Sequence, residues 1–152
     1  MKFAHSVKIT VFVKEGENEE KIKSCMSSLI PLDLEKEKIG MHQQTAHGFN
    51  EKKIKILEIV LEKDRHIQMF LENLIKNLSN ETKELLLRQA ESRLDNDCNF
   101  FLRFSKDKII NENELWLTDQ GNCFHIKISI AAFPKKRDIA LEIIRNVFKV
   151  GK

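Results

Sequence analysis

Residues 5–13 alternate in polarity, with Val7, Ile9, Val11 and Val13 on one side and Ser6, Lys8, Thr10 and Phe12 on the other. A period of two marks a strand with one buried face. Glu15-Gly16-Glu17-Asn18 breaks the alternation, and Asn18 is of a type that caps helices. The period then becomes helical. Ile22, Cys25, Met26, Leu29 and Ile30 share a face, and Pro31 ends the run. Residues 32–52 hold no sustained period and read as a loop with one short strand around 38–45. Ile54–Leu61 is β-rich, but its alternation changes phase at Leu57, as in a bulged strand or one buried on both faces.

Asp64 can cap a helix whose face is Ile67, Phe70, Leu71, Leu74, Ile75 and Leu78. Ser79-Asn80 interrupts it, a second helical run carries Leu85, Leu86, Leu87, Ala90 and Leu94, and Asn96-Asp97 signals a turn. Phe100, Leu102 and Phe104 alternate with Phe101, Arg103 and Ser105, which predicts a strand followed by a polar connection over 107–114. Leu115-Trp116-Leu117 reads as a short strand, and residues 119–122, with Gly121 free to take positive φ, as the turn of a hairpin. The returning strand buries Phe124, Ile126, Ile128 and Ile130 and shows His125, Lys127 and Ser129 on its other face. A last helix starts at Pro134, its apolar stripe formed by Ile139, Ala140, Ile143, Ile144, Val147 and Phe148. The order β-α-(β)-β-α-α-β-β-β-α predicts one α+β domain over residues 1–152. It is a two-layer sandwich, with a mostly antiparallel or mixed sheet and helices packed on one face.

Composition narrows the class. With 41% hydrophobic and 32% charged residues among 152, the chain is neither disordered nor fibrous. No apolar run approaches the roughly 18 residues of a membrane span, and residues 1–6 lack the apolar core of a signal peptide. Cys25, Cys98 and Cys123 are odd in number and widely spaced, so they read as reduced, mostly buried thiols of a cytoplasmic protein. The net charge is only +3, but residues 121–152 hold seven cations against two anions, leaving the rest slightly acidic. A basic end on a near-neutral body is the footprint of a phosphate-binding surface, or an ordinary fluctuation of surface charge.

Catalytic motifs are missing from the sequence: no G-x-S-x-G, no phosphate-binding loop, no G-x-G-x-x-G. Glu91 and Asp95 flank Arg93, an arrangement expected to be a helix-end ion pair before an acid/base pair. Cys123 and His125 point to one face of their strand and Cys98 could lie across from them. Three-ligand zinc would need that convergence, but no paired C-x-x-C supports it. The expectation is no catalytic centre, no metal and no cofactor.

Two features point elsewhere. The outward face of the predicted sheet mixes Phe101, Arg103, His125 and Lys127 with Asn99, Ser105 and Ser129, and Lys8, Thr10 and Phe12 can join them. Rings that stack on bases and cations that meet phosphates are what an RNA-facing sheet uses; the alternative is that Phe101 and Phe12 are covered by a loop or partner. The second feature is Phe133-Pro134-Lys135-Lys136-Arg137. Three cations in a helix's first turn oppose its dipole, so either an external anion sits there or the side chains fan into solvent.

The stretches Val11-Phe12-Val13-Lys14-Glu15-Gly16-Glu17, Ser92-Arg93-Leu94-Asp95 with Phe100-Phe101-Leu102-Arg103, and His125-Ile126-Lys127-Ile128 through Phe133-Pro134-Lys135-Lys136-Arg137 resemble a small archaeal family over about residues 4–148. Its members are described as predicted RNA-binding proteins or predicted exosome subunits. The resemblance implies a fold similar to the large-subunit ribosomal protein that contacts 5S ribosomal RNA. It also implies a cytosolic archaeal protein and brings no catalytic residues. The expected function is non-catalytic RNA binding, associated with the exosome or ribosome. Lys135, Lys136 and Arg137 would hold phosphates, Arg103, Lys127 and His125 would extend that surface, and Phe101 would stack on a base. The competing expectations are a protein-interaction module within an RNA-processing assembly and, third, an RNA-acting enzyme.

Overall fold

Alternation over residues 5–13 gives an eleven-residue strand, β1 (Ala4–Lys14), at the centre of a five-stranded sheet. The structure is a computed structural model and describes residues 2–47, 52–119 and 121–150. Two further strands, β2 (Met41–His47) and β3 (Lys53–Leu61), precede β4 (Asn99–Ser105) and β5 (Cys123–Ile130), in the spatial order β2-β3-β1-β5-β4. Every neighbouring pair is antiparallel. The α+β class and the antiparallel alternative are therefore correct.

One face of the sheet carries Val7, Ile9 and Val11 of β1, Leu57, Ile59 and Leu61 of β3, Phe100, Leu102 and Phe104 of β4, and Phe124, Ile126 and Ile128 of β5, all buried. Among the described residues, six helices supply the other side of this core: α1 (Glu19–Ser28), α2 (Asp64–Asn77), α3 (Asn80–Arg88), α4 (Ala90–Arg93), α5 (Lys106–Glu112) and α6 (Arg137–Val147). Ile22 and Met26, Phe70 and Leu74, Leu86, and Ile144 are their buried anchors. Phe148 follows α6 and meets Phe100 with ring centroids 5.9 Å apart. Each such side chain contributes about 1.5–3 kcal/mol by leaving water.

Side-chain caps form at Asn18, as predicted, and at Ser79, which read from the sequence only as an interruption. Asn18 Oδ1 accepts from Lys21 N–H at 3.1 Å, and Ser79 Oγ accepts from Thr82 N–H at 3.1 Å. Asp64 does not cap α2; Lys63 holds that position without a side-chain bond, and Asp64 sits in the first turn, where its charge suits the dipole. The polar connection expected over 107–114 is helix α5. Ser105 caps it by accepting from Lys108 N–H at 3.3 Å, and Asn113 closes it in the left-handed region at φ 53°. Only Ile109 of α5 is a buried apolar residue, too little for a periodic signal.

The phase change at Leu57 is neither a bulge nor double burial, since β3 pairs with β1 in unbroken register from Ile54 to Leu61. Ile54 and Ile56 simply lie on the opposite face, where Ile56 pairs with Phe12. The hairpin expected at 115–130 does not form either. Leu117 bridges Phe104, with Ser105 N–H donating to Trp116 O at 2.8 Å and Thr118 N–H to Arg103 O at 2.9 Å, so this segment lines the outer edge of β4. The last helix begins at Arg137, three residues after Pro134. The Phe133–Pro134 peptide is cis, Lys136 N–H donates to Pro134 O at 2.9 Å, and extended Lys136 holds the N-cap position. The irregular segment 32–52 contains β2 at the sheet's edge, and its residues 48–51 lie outside those described.

Candidate nucleic-acid interface

The strand residues that do not face the helices form a second face, and none of them is fully buried. Register sorts them into rows. One row reads Val60, Lys8, Lys127, Phe101 from β3 to β4, and the next reads His42, Glu58, Thr10, His125, Arg103 from β2 to β4. Lys8 and Lys127 stand directly opposite each other, an arrangement that destabilises a sheet by itself. Arg103 lies in the adjacent row beside His125. Three cations thus crowd a few strand spacings of about 4.8 Å each.

The negative charge nearby is small. Glu58 Oε2 lies 3.4 Å from Lys8 Nζ. Asp95 lies near Lys127, but its oxygens serve the chain: Oδ1 accepts from Asn99 N–H at 2.8 Å and Asp97 N–H at 2.9 Å, and Oδ2 from Asn99 Nδ2 at 3.1 Å. Burial would raise the Asp95 carboxyl, but these bonds, with Lys127 adding a little, hold it below the usual aspartate range.

Phe101 and His125 form a stacked pair, centroids 5.5 Å apart and planes 27° from parallel. Burial, and then the charges of Arg103, Lys127 and Lys8, push the imidazole below the usual histidine range, so the ring is neutral at pH 7. Beside this pair lies a depression of about 370 Å³ whose lining includes Thr10, Phe12, Glu58, Arg103, Lys106 and His125. Lys106 contributes to this lining from the start of α5. Its ammonium is buried and donates to Phe12 O at 2.8 Å and Glu17 Oε1 at 2.9 Å. On the rim, Lys14 Nζ donates to Asn122 Oδ1 at 2.5 Å, tying the 121–122 turn to β1.

Four of the seven predicted site residues, Phe101, Arg103, His125 and Lys127, therefore share one patch. The other three do not join it directly. Lys127 is three residues, about 10 Å of strand, from the end of β5, and Lys135 and Lys136 are exposed beyond that end. Arg137 is partly buried. One of its terminal nitrogens donates to Glu91 O at 2.6 Å and Leu94 O at 3.1 Å, which closes the carbonyl end of α4. Arg93 is likewise structural, though not paired to Glu91 or Asp95 as expected. Its buried guanidinium holds Gln89 Oε1 at 2.7 and 3.0 Å and Asp119 Oδ1 at 3.3 Å.

The zinc arrangement fails on register. Asn99 pairs with Ser129 and Ser105 with Cys123, so buried Cys98 lies at the far end of the strands from Cys123 and His125. Among the described residues, no three His, Cys, Asp or Glu side chains stand close enough to hold a metal. Among them, too, no helix is long and apolar enough to cross a membrane.

A family model described as RNA binding matches residues 6–130. The chain belongs to that RNA-binding family. The RNA-binding protein PAB1135 of Pyrococcus abyssi is 27% identical over 143 residues, covering 94% of this chain and 92% of its own. Among solved structures, Mth689 of Methanothermobacter thermautotrophicus, a DUF54 protein, superposes with a TM-score of 0.79 at 26% identity, covering 97% of this chain and 99% of its own. SSO0741 of Sulfolobus solfataricus, of the same DUF54 group, gives 0.75 at 25% identity over 93% and 96%. The expected archaeal family is thus the right one. The range that matches the RNA-binding family includes Lys8, Phe101, Arg103, His125 and Lys127 and stops before Phe133-Pro134-Lys135-Lys136-Arg137.

Sequence reading missed Glu58 and Lys106 at this site. Glu58 had a signal, since a carboxylate inside a β-rich apolar run whose phase shifts marks the face that is not core. Lys106 had none, because its partners Phe12 and Glu17 are about ninety residues away.

Proposed function

We propose that this chain binds RNA, without acting on it chemically, through the open face of its sheet. The observation that carries the reading is the Lys8–Lys127 opposition beside Arg103, around a stacked Phe101–His125 pair. Like charges facing each other cost stability unless an anion lies between them, and a ring pair offers a base a place to stack. Lys8, Arg103 and Lys127 hold phosphates, Phe101 with His125 forms the stacking platform, and exposed Lys135 and Lys136 extend the track beyond β5. Arg137 positions that turn by holding α4. Membership of the RNA-binding family supports the same reading. A place in a cytoplasmic RNA-processing assembly such as the exosome, or on the ribosome, extends it.

The test is titration of single-stranded RNA over a range of salt, with Arg103→Ala/Lys127→Ala and Lys135→Ala/Lys136→Ala double variants. Removing a cation that neutralises one phosphate should flatten the logarithmic salt slope by about 0.7. A sheet-face variant with wild-type affinity and slope overturns the assignment.

A second reading, a module that docks on another protein, has one observation in its favour: Phe133 is 94% and Trp116 56% exposed. Capture of partners from native extract separates the two. Nuclease treatment releases the partners under the first reading and leaves them bound under the second.

A further inference from the structure

We propose that the depression above Thr10 receives one unstacked base of a single-stranded RNA, and that Glu58 makes guanine the preferred base. The inference rests on the RNA-binding reading and deepens it. Thr10 lies in one row between Glu58 on β3 and His125 on β5. Those two neighbours are two strand spacings apart, about 10 Å. A short side chain between two longer ones makes a floor with walls. Phe12, half exposed, stands one residue pair along the same strand, and Lys8 and Lys127 close the opposite side. The volume of about 370 Å³ suits a nucleotide and is small for a duplex groove.

The walls differ in chemistry. On one side is His125, backed by the Phe101 ring stacked on it, and a base can lie against the imidazole. On the other is the Glu58 carboxylate, about a third exposed, held only loosely by Lys8 at 3.4 Å and with lone pairs to spare. A carboxylate accepts two parallel hydrogen bonds from the N1–H and N2–H of guanine. Adenine and cytosine each set a ring-nitrogen acceptor beside their amino group, and uracil flanks its single N–H with two carbonyls. Those lone pairs repel a carboxylate. The surrounding cations, Lys8, Lys127 and Arg103, are placed for the phosphates on either side of the inserted base.

The experiment uses short labelled oligoribonucleotides of one sequence that differ only in a central G, A, C or U, titrated against the full chain by fluorescence anisotropy. Wild type should bind the G oligonucleotide about tenfold more tightly than the U one, the discrimination a bidentate base contact gives. Glu58→Gln should abolish the preference while binding the U oligonucleotide as tightly as wild type or more so, because a negative charge has left a phosphate surface. Thr10→Leu raises the floor and should also abolish the preference, with the salt slope retained. Equal wild-type affinity for all four oligonucleotides, with a normal salt slope, overturns the guanine site and leaves RNA binding standing. No salt-dependent binding by wild type overturns both.

Discussion

Removing Glu17 should destabilise the fold more than removing its partner Lys106, although the lysine is the more buried of the two. Lys106 Nζ has two acceptors, Phe12 O at 2.8 Å and Glu17 Oε1 at 2.9 Å, and its side chain is 2% exposed against 27% for Glu17. Glu17→Ala leaves an ammonium without its counter-ion, out of reach of water. Such orphaned charges cost about 3–5 kcal/mol, and Lys14 N–H also loses its bond to Glu17 Oε1. Lys106→Met leaves Glu17 able to turn to water while keeping the Lys14 bond. It strands only the Phe12 carbonyl, at about 1–3 kcal/mol, and methionine refills much of the apolar volume. The gap between the two variants is about 2 kcal/mol. In the double variant the orphaned charge is gone, so it should be more stable than Glu17→Ala alone. Urea unfolding at pH 7 reads all three as shifts of midpoint at constant slope. Equal losses, a larger loss for Lys106→Met, or an additive double variant would refute the argument. There is also a pH signature. Burial works to raise the Glu17 carboxyl, but the bonds from Lys14 and Lys106 outweigh it and hold it below the usual glutamate range. The stability this contributes is present above the unfolded pKa and is lost as the pH falls through the folded one.

Three further outcomes are expected. His125 is depressed by burial and by Arg103, Lys127 and Lys8, and bound phosphates would offset those charges, so RNA binding should take up a proton. Affinity should rise as the pH falls from 7.5 to 5.5, and His125→Gln should flatten the profile measured by anisotropy. Arg137→Ala should lower thermal stability by about 1–3 kcal/mol, since the Glu91 and Leu94 carbonyls lose their donor, whereas Lys135→Ala/Lys136→Ala should melt within about 0.5 kcal/mol of wild type. Asp95→Ala frees three donors on Asn99 and Asp97 and should cost about 1–3 kcal/mol in urea unfolding, with the loss smaller in acid, where wild type gives up the same bonds.

What the sequence disclosed was whatever depends on neighbours along the chain. Period-two alternation identified β1, β4 and β5 and assigned Phe101, Arg103, His125 and Lys127 to one side, because a strand's side chains can only alternate. Asn18 announced its helix because a cap acts within three residues. Register between strands is not local, so the opposition of Lys8 and Lys127 and the row Glu58–Thr10–His125 appeared only with the fold. A β3 carrying apolar residues on both faces obscured the alternation that would have revealed Glu58.

The cluster Lys135-Lys136-Arg137 shows the same limit through electrostatics. Along the chain, the three cations stand against the dipole of the helix they open, so either an external anion relieves them or the side chains fan into solvent. Arg137 takes neither course, because it meets the opposite end of another helix. Its guanidinium reaches the carbonyl end of α4, more than forty residues earlier, where a cation is favourable. That leaves Lys135 and Lys136, exposed at the end of β5, as the cations still free to meet a phosphate. A helix start crowded with positive charge is therefore a question about which carbonyls lie within reach of each side chain before it is a sign of a bound anion.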